Sequence, residues 1–177
     1  MRCDSCEFEW GSVPRDEVAA RLGAATAGLA ERLAATAPDD LRRRPDPEVW
    51  SAIEYACHVR DVLLVMRERV LLILRSSSPP AIAPMGRDER VVHDRYREQA
   101  PADVSRQLLD AAAMLVHLFE RIDDELVKTH GLTAVAYGAF SRTVPPAFSD
   151  LLTTKAERSV RMVAAELDVP LGADDRG

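Results

Sequence analysis

His58 is the residue whose type and position give the sequence its strongest chemical signal. It lies beside the border of an apolar helical arc, with Glu54 four residues before it and Asp61 three residues after it. On a helix these offsets place both carboxylates about one turn from the imidazole. An imidazole with such neighbours is typical of a metal ligand or a general base. The same pattern also fits a structural, half-buried histidine that is hydrogen-bonded to a carboxylate, and both interpretations stay open.

Cys3 and Cys6 form a second candidate site, because Cys-x-x-Cys is half of a zinc-knuckle spacing. A second pair at matching spacing is absent from the sequence. A metal would therefore need another ligand from the remainder of the chain or from a second subunit, and the alternative is two free thiols. A thioredoxin-like redox role is not expected, since no βαβ pattern surrounds the pair. Cys57 precedes His58 but points about 100° away from it around the helix.

The other chemistry-bearing groups give weaker signals. His93, His117 and His130 lie in polar settings and are expected at the surface. We find no glycine-rich phosphate loop and no recognisable nucleophile arrangement in the sequence.

Composition narrows the class of protein. The 177 residues suit one domain, and 47% hydrophobic residues suffice for one core. A net charge of −6 argues against a broad nucleic-acid footprint, and the run 42–44 of arginines, flanked by acidic residues, is expected to be a solvated loop. Apolar runs are far shorter than the roughly 18 residues that span a membrane. With no signal sequence and an odd count of 3 cysteines, we expect a cytoplasmic protein with reduced thiols.

Apolar residues at three- and four-residue spacing predict the helices that position these groups. The second helix opens with a Ser51–Glu54 capping box and is apolar over a wide arc, so it is expected to pack between several neighbours. The predicted helices cover about 14–36, 51–75, 101 to a stop at Gly131, and 147–168. Residues 76–100 are predicted to be irregular with at least a helical turn near 86–97, and 132–146 are predicted to be a loop or extended. The organisation is an N-terminal segment 1–13, an all-α bundle 14–169 and a frayed tail 170–177.

Residues 49–61 read Val-Trp-Ser-Ala-Ile-Glu-Tyr-Ala-Cys-His-Val-Arg-Asp. This segment resembles the second-helix signature of the DinB superfamily, and the opening Cys-Asp-Ser-Cys-Glu-Phe-Glu resembles actinobacterial members. The resemblance, over about 1–125, implies a DinB-like four-helix bundle with long connections, often a homodimer, with a divalent metal between helices. It also implies kinship with mycothiol-dependent maleylpyruvate isomerase and bacillithiol transferases, and hence a zinc or nickel cofactor and a low-molecular-weight thiol. His58 matches the family's metal ligand on the second helix.

The late-helix ligands of that family, His-x-x-x-His or Glu-x-x-x-His, have no full counterpart here. No histidine follows His130, and the fourth residue after Glu157 is Arg161. Arginine has no lone pair to offer a cation, so Glu157 remains as the possible late-helix contribution. Three protein ligands are usual in a catalytic zinc site, and the site is therefore expected to be incomplete.

Three functions remain open at this point. The first is a metal-dependent thiol S-transferase or isomerase acting on a small molecule through His58. The second is a non-catalytic DinB-like bundle that binds a small molecule or acts as a dimeric interaction module. The third is a zinc- or redox-responsive protein that uses Cys3 and Cys6.

Overall fold

Helices make up all the regular structure in the described part of the chain. The computed structural model describes residues 15–78 and 80–122, and within these ranges no strand occurs. The elements, in order, are a 3₁₀ turn (Arg15–Glu17), α1 (Val18–Ala35), α2 (Pro38–Arg42), α3 (Ala52–Arg75), α4 (Arg87–His93), a second 3₁₀ turn (Tyr96–Glu98) and α5 (Pro101–Phe119). The predictions for 1–13, 132–146, 147–168 and 170–177 lie outside the described residues.

Helix α1 forms where the apolar spacing predicts it. Its inner face buries five apolar side chains, Val18, Leu22, Leu29, Ala30 and Leu33. Thr26 is also buried, and its hydroxyl donates to the carbonyl oxygens of Leu22 (2.8 Å) and Gly23 (3.0 Å). These bonds satisfy the hydroxyl inside the helix and let a polar residue occupy the apolar face.

Helix α2 is a feature that the sequence analysis missed. The sequence predicts no helix between about 36 and 51, but Pro38 occupies the first turn of a short helix there. A proline at this place needs no amide donor, and Asp39 and Asp40 in the first turn favour the positive helix end. Leu41 is fully buried and anchors the turn to the core.

Helix α3 is the central element of the described bundle. The predicted capping box is present at its start, where the Ser51 amide donates to the Glu54 carboxylate at 2.8 Å. Buried side chains surround the first three turns of the helix, which confirms that it packs against several neighbours. The helix ends at Arg75, before the run of serines.

Helix α5 packs against both α1 and α3 and joins them into one core. Its buried stripe is the predicted one, with Val104, Leu108, Ala111 and Leu115. The helix is shorter than predicted: it ends at Phe119, and the amides of Arg121 and Ile122 bond three residues back instead of four. The residues there include no glycine or proline, so the sequence does not mark this end.

The long connection between α3 and α5 is partly helical, as predicted for 86–97. Gly86 precedes α4 with φ of 65°, and Arg95 precedes the second 3₁₀ turn with φ of 49°. Glycine adopts this left-handed region without steric cost. Helix α4 has no buried residue of its own. Among the described helices, none has the length and apolar character that crossing a membrane requires.

Glycine-to-alanine substitutions at two positions are expected to have opposite effects. Gly23→Ala, inside α1, should raise the free energy of unfolding by about 0.5–1 kcal/mol, because alanine favours a helix and the new Cβ meets no atom of the described residues within 4 Å. Gly86→Ala should lower it by about 1 kcal/mol, because φ is positive there. Urea denaturation of both variants beside the wild type measures this. Equal signs for the two changes would contradict the left-handed start of α4.

Candidate functional site

The indole of Trp50 packs against His58 at the edge of the core. His58 is half-buried on α3, and its ring lies 5.4 Å from the ring of Trp50 in an edge-to-face arrangement with an interplanar angle of 69°. The Trp50 ring is also 5.4 Å from Tyr55. Trp50 directly precedes the capping box, so the start of α3 fixes where the indole lies. The imidazole is thus partly covered, and its orientation is constrained by the indole.

The other described histidines lie on the surface, as the sequence predicts. His93 is exposed at the end of α4. His117 is exposed on α5, and its Nε2 accepts a hydrogen bond from Arg121 at 3.1 Å. His130 lies outside the described residues. Of the three histidines that the structure describes, His58 is therefore the one that lies partly within the bundle.

Glu54, predicted to support His58, forms an ion pair with Arg44. Its carboxylate accepts from Arg44 Nε at 2.9 Å and also from Arg44 Nη2, while Ser51 donates from its amide and its hydroxyl. Burial alone would raise the pKa of Glu54, but the hydrogen bonds from Arg44 and Ser51 outweigh it and hold the pKa below its usual value. Glu54 is therefore ionised and engaged in the capping of α3, and its predicted support of His58 stays a prediction.

The arginines at 42–44 are not simply a solvated loop. Arg43 is exposed and pairs with Asp40, as expected. The expectation is wrong for the other two: Arg44 pairs with buried Glu54, and Arg42 donates to the carbonyl oxygens of Arg97 (3.2 Å) and Gln99 (3.3 Å). They fasten the 38–50 segment to α3 and to the connection before α5.

Asp61, the other predicted neighbour of His58, is the centre of a buried polar network. One oxygen accepts from Arg60 Nε at 2.8 Å, and the other accepts from the Tyr96 hydroxyl at 2.5 Å and from Arg90 Nη1 at 3.1 Å. Burial raises the pKa of Tyr96, and the hydrogen bond to Asp61 adds to that effect. The contacts of Asp61 thus join α3 to α4 and to the second 3₁₀ turn. Its predicted support of His58, like that of Glu54, stays a prediction.

The network continues from Arg60 toward α5. Arg60 Nη1 donates to the side-chain oxygens of Gln99 and Gln107, each at 2.7 Å. Burial lowers the pKa of Arg60, but the hydrogen bond and charge of Asp61 outweigh it and raise the pKa above the ordinary value. The buried guanidinium is thus satisfied by one carboxylate and two amides.

Cys57 is a buried, unreactive thiol. Its side chain is fully buried, and burial raises its pKa to about 12. Its sulfur lies 3.5 Å from the Gln99 amide oxygen and donates to it. Because thiolates are the nucleophilic and metal-binding form, Cys57 is not a nucleophile at neutral pH.

The described residues do not complete a metal site. Within residues 15–78 and 80–122, no group of three histidine, cysteine, aspartate or glutamate side chains could hold a metal ion. Cys3, Cys6 and Glu157 lie outside these ranges. A three-ligand site that includes His58 would therefore need at least one donor from outside these ranges.

Comparison with known families identifies the fold family. The sequence profile of the DinB superfamily matches residues 21–167, which is most of the chain. This chain belongs to the DinB superfamily. The match extends into the C-terminal third, beyond the region of about 1–125 that carries the resemblance.

A solved structure supports the same fold. YfiT from Bacillus subtilis, described as a probable metal-dependent hydrolase with an unusual four-helix bundle topology, superposes with a TM-score of 0.72 at 14% sequence identity. The alignment covers 91% of this chain and 90% of YfiT. No curated protein sequence matches significantly. The predicted fold class, an all-α DinB-like four-helix bundle, is confirmed.

The sequence does not predict which side chains contact His58, Glu54 and Asp61 of the 49–61 segment. Edge-to-face packing of Trp50 on His58 had a local signal, because the two residues are eight positions apart and flank the first turns of α3. The pairing of Glu54 with Arg44, and of Asp61 with Arg90 and Tyr96, had none. Many arginines in the sequence could have met either carboxylate.

Glu54 gives a pH-dependent prediction. Its pKa is lowered in the folded chain, so its contribution to stability is present above the unfolded value of about 4.3 and is lost as the pH falls through the lower folded value. Wild type should therefore exceed Glu54→Gln in free energy of unfolding at pH 7, and the difference should shrink below about pH 4.3. Urea denaturation from neutral to acid pH measures it, with exposed Glu98→Gln as the control. A difference that does not change with pH would contradict the ionised pair.

Asp61→Asn tests the buried network. The substitution keeps the shape but removes the charge that compensates Arg60, so we expect a loss of about 3–5 kcal/mol in the free energy of unfolding. Asp103→Asn removes a carboxylate that pairs with Arg106 on the exposed side of α5, and should cost no more than about 1 kcal/mol. Chemical denaturation of both variants gives the comparison. Similar small losses for the two would show that Asp61 does not organise the fold.

Proposed function

We propose that this DinB-family chain is a metal-dependent enzyme, a thiol S-transferase or isomerase acting on a small molecule, in which His58 is the ligand from α3. The observation that carries the proposal is the placement of His58. It is half-buried and oriented by Trp50, whereas His93 and His117 are exposed. The kinship implied by the 49–61 signature supports the reaction type, and the description of YfiT as a probable metal-dependent hydrolase supports a metal.

The neighbours of His58 on α3 limit which side chains could join it as metal ligands. Glu54 and Asp61 already neutralise arginines, and Cys57 keeps its proton. A three-ligand metal site would therefore need at least one donor from outside the described residues, with Glu157 as the candidate. A bound divalent metal would act as a Lewis acid toward water, a thiol or a substrate oxygen.

The buried state of Cys57 also bears on the source of the thiol. Its high pKa leaves it unsuited to thiol chemistry. A thiol transferase built on this part of the chain must take its thiol from a low-molecular-weight compound such as mycothiol. Thiol consumption by the purified protein in the presence of mycothiol and candidate acceptors is the matching activity assay.

A non-catalytic bundle is the second candidate function. The observation that favours it is the lack of a three-donor cluster among the described residues. In that case the family scaffold persists as a module that binds a small molecule or a second copy of the chain.

Metal analysis of matched variants separates these functions. Wild type should hold about one zinc or nickel ion per chain, and His58→Ala should bind the metal at least 10-fold more weakly, since even outer-shell substitutions cost about 10–100-fold. His93→Ala is the control, because its imidazole is exposed. Equilibrium dialysis followed by elemental analysis gives the affinities.

Two outcomes would contradict the proposal. Metal that survives in His58→Ala but is lost in Cys3→Ser/Cys6→Ser would move the site to the N-terminal cysteines and favour the zinc- or redox-responsive function. No metal in any variant, after growth in metal-supplemented medium, would favour the non-catalytic bundle.

A further inference from the structure

An exposed arginine lies on the aromatic cluster beside His58. The Arg87 guanidinium carbon is 5.1 Å from the centre of the Trp50 ring, a cation–π distance. Trp50 in turn contacts His58 and Tyr55. The Arg87 guanidinium is 5.1 Å from the Trp50 ring, and the Trp50 ring is 5.4 Å from the His58 ring. A small molecule is therefore long enough to reach from the guanidinium to the imidazole.

The guanidinium is held in place but is only partly engaged. Its Nε donates to Asp88 at 2.9 Å and its Nη2 donates to the same carboxylate at 3.2 Å. Both side chains are well exposed, at 61% and 70%, so this pair is worth little. Within the described part of the chain, these two bonds leave Arg87 Nη1 without a hydrogen-bond acceptor. The remaining donor edge of the planar fork suits a carboxylate.

Two carboxylates of α3 do not compete for Arg87. Glu54 is paired with Arg44, and Asp61 is paired with Arg60 and Arg90. Arg87 itself is paired with Asp88, whose carboxylate is exposed at the surface.

We propose that Arg87 and Trp50 form a recognition site for the carboxylate of a small-molecule ligand, with the apolar part of that ligand against the indole and its far end toward His58. That this ligand is an enzyme substrate rests on the proposed function of His58. The carboxylate site itself does not depend on a metal.

A fluorescence titration tests the site. In a Trp10→Phe background Trp50 is the remaining tryptophan of the chain, and its emission should change saturably with glutarate but not with the neutral glutaramide at equal ionic strength. Arg87→Gln should weaken glutarate binding about 10-fold, as expected for a lost charged hydrogen bond. Asp88→Asn should strengthen binding, because it removes the competing carboxylate.

The controls separate this inference from the metal hypothesis. Arg106→Gln removes an arginine of similar exposure on α5, 63% against 61%, and should leave glutarate binding unchanged. His58→Ala should still bind glutarate through Arg87, even if it has lost a metal. Glutarate binding by a protein that holds no metal would thus support this inference and contradict the proposed function.

Three results would overturn the inference. They are no saturable response to glutarate in the parent protein, an unchanged affinity in Arg87→Gln, and a stronger response to inorganic phosphate than to glutarate. The last would assign the guanidinium to a phosphate ligand instead. Circular dichroism of each variant confirms that the helices are retained.

Discussion

The buried carboxylate of Asp61 is the interaction on which the rest of the described structure depends. An ionised carboxylate removed from water is costly unless it is paired and hydrogen-bonded. Here Arg60, Arg90 and Tyr96 supply that compensation from α3, α4 and the second 3₁₀ turn. Helix α4 has no fully buried side chain, but half-buried Val91 packs against the core. The polar contacts to Asp61 therefore add to a limited apolar contact in fixing the position of the helix. The long connection is thereby fixed although its sequence is mostly polar.

This constraint extends to the candidate site. Arg90 and Arg87 are one turn apart on α4, so the bond from Arg90 to Asp61 also sets where Arg87 lies. Arg87 then lies on Trp50, and Trp50 packs its ring on His58. Next to Trp50 in the sequence, the Ser51–Glu54 capping box and Arg44 hold the first turn of α3. The orientation of the imidazole thus follows from two buried acidic groups that do not themselves need to contact it.

Local signals explain what could be predicted from the sequence. The apolar stripes of α1, α3 and α5 and the Ser51–Glu54 capping box involve residues within a few positions of each other, and the structure has them as expected. The partners of the two carboxylates are separated from them by 10, 29 and 35 residues. No periodicity encodes such pairings, because any of several arginines would serve. Helix α2 was not predicted for another reason, because Pro38 is equally suited to ending one helix and to beginning the next.

The charges near His58 affect the binding of a metal, which the family resemblance implies, and the binding of an acidic ligand in opposite ways. The carboxylates of Glu54 and Asp61 are already neutralised by arginines. A divalent cation beside His58 would therefore need a further negatively charged ligand, such as Glu157. An acidic ligand meets the opposite situation, because the exposed Arg87 guanidinium and the Trp50 ring both favour it. If a metal ligand set is completed by a carboxylate from elsewhere in the chain, the cation and the anionic ligand would partly neutralise each other and bind cooperatively. If it is not completed, the same electrostatics leave an anion-binding bundle on the DinB scaffold. The two proposed functions therefore differ in the source of one or two ligands rather than in the architecture around His58.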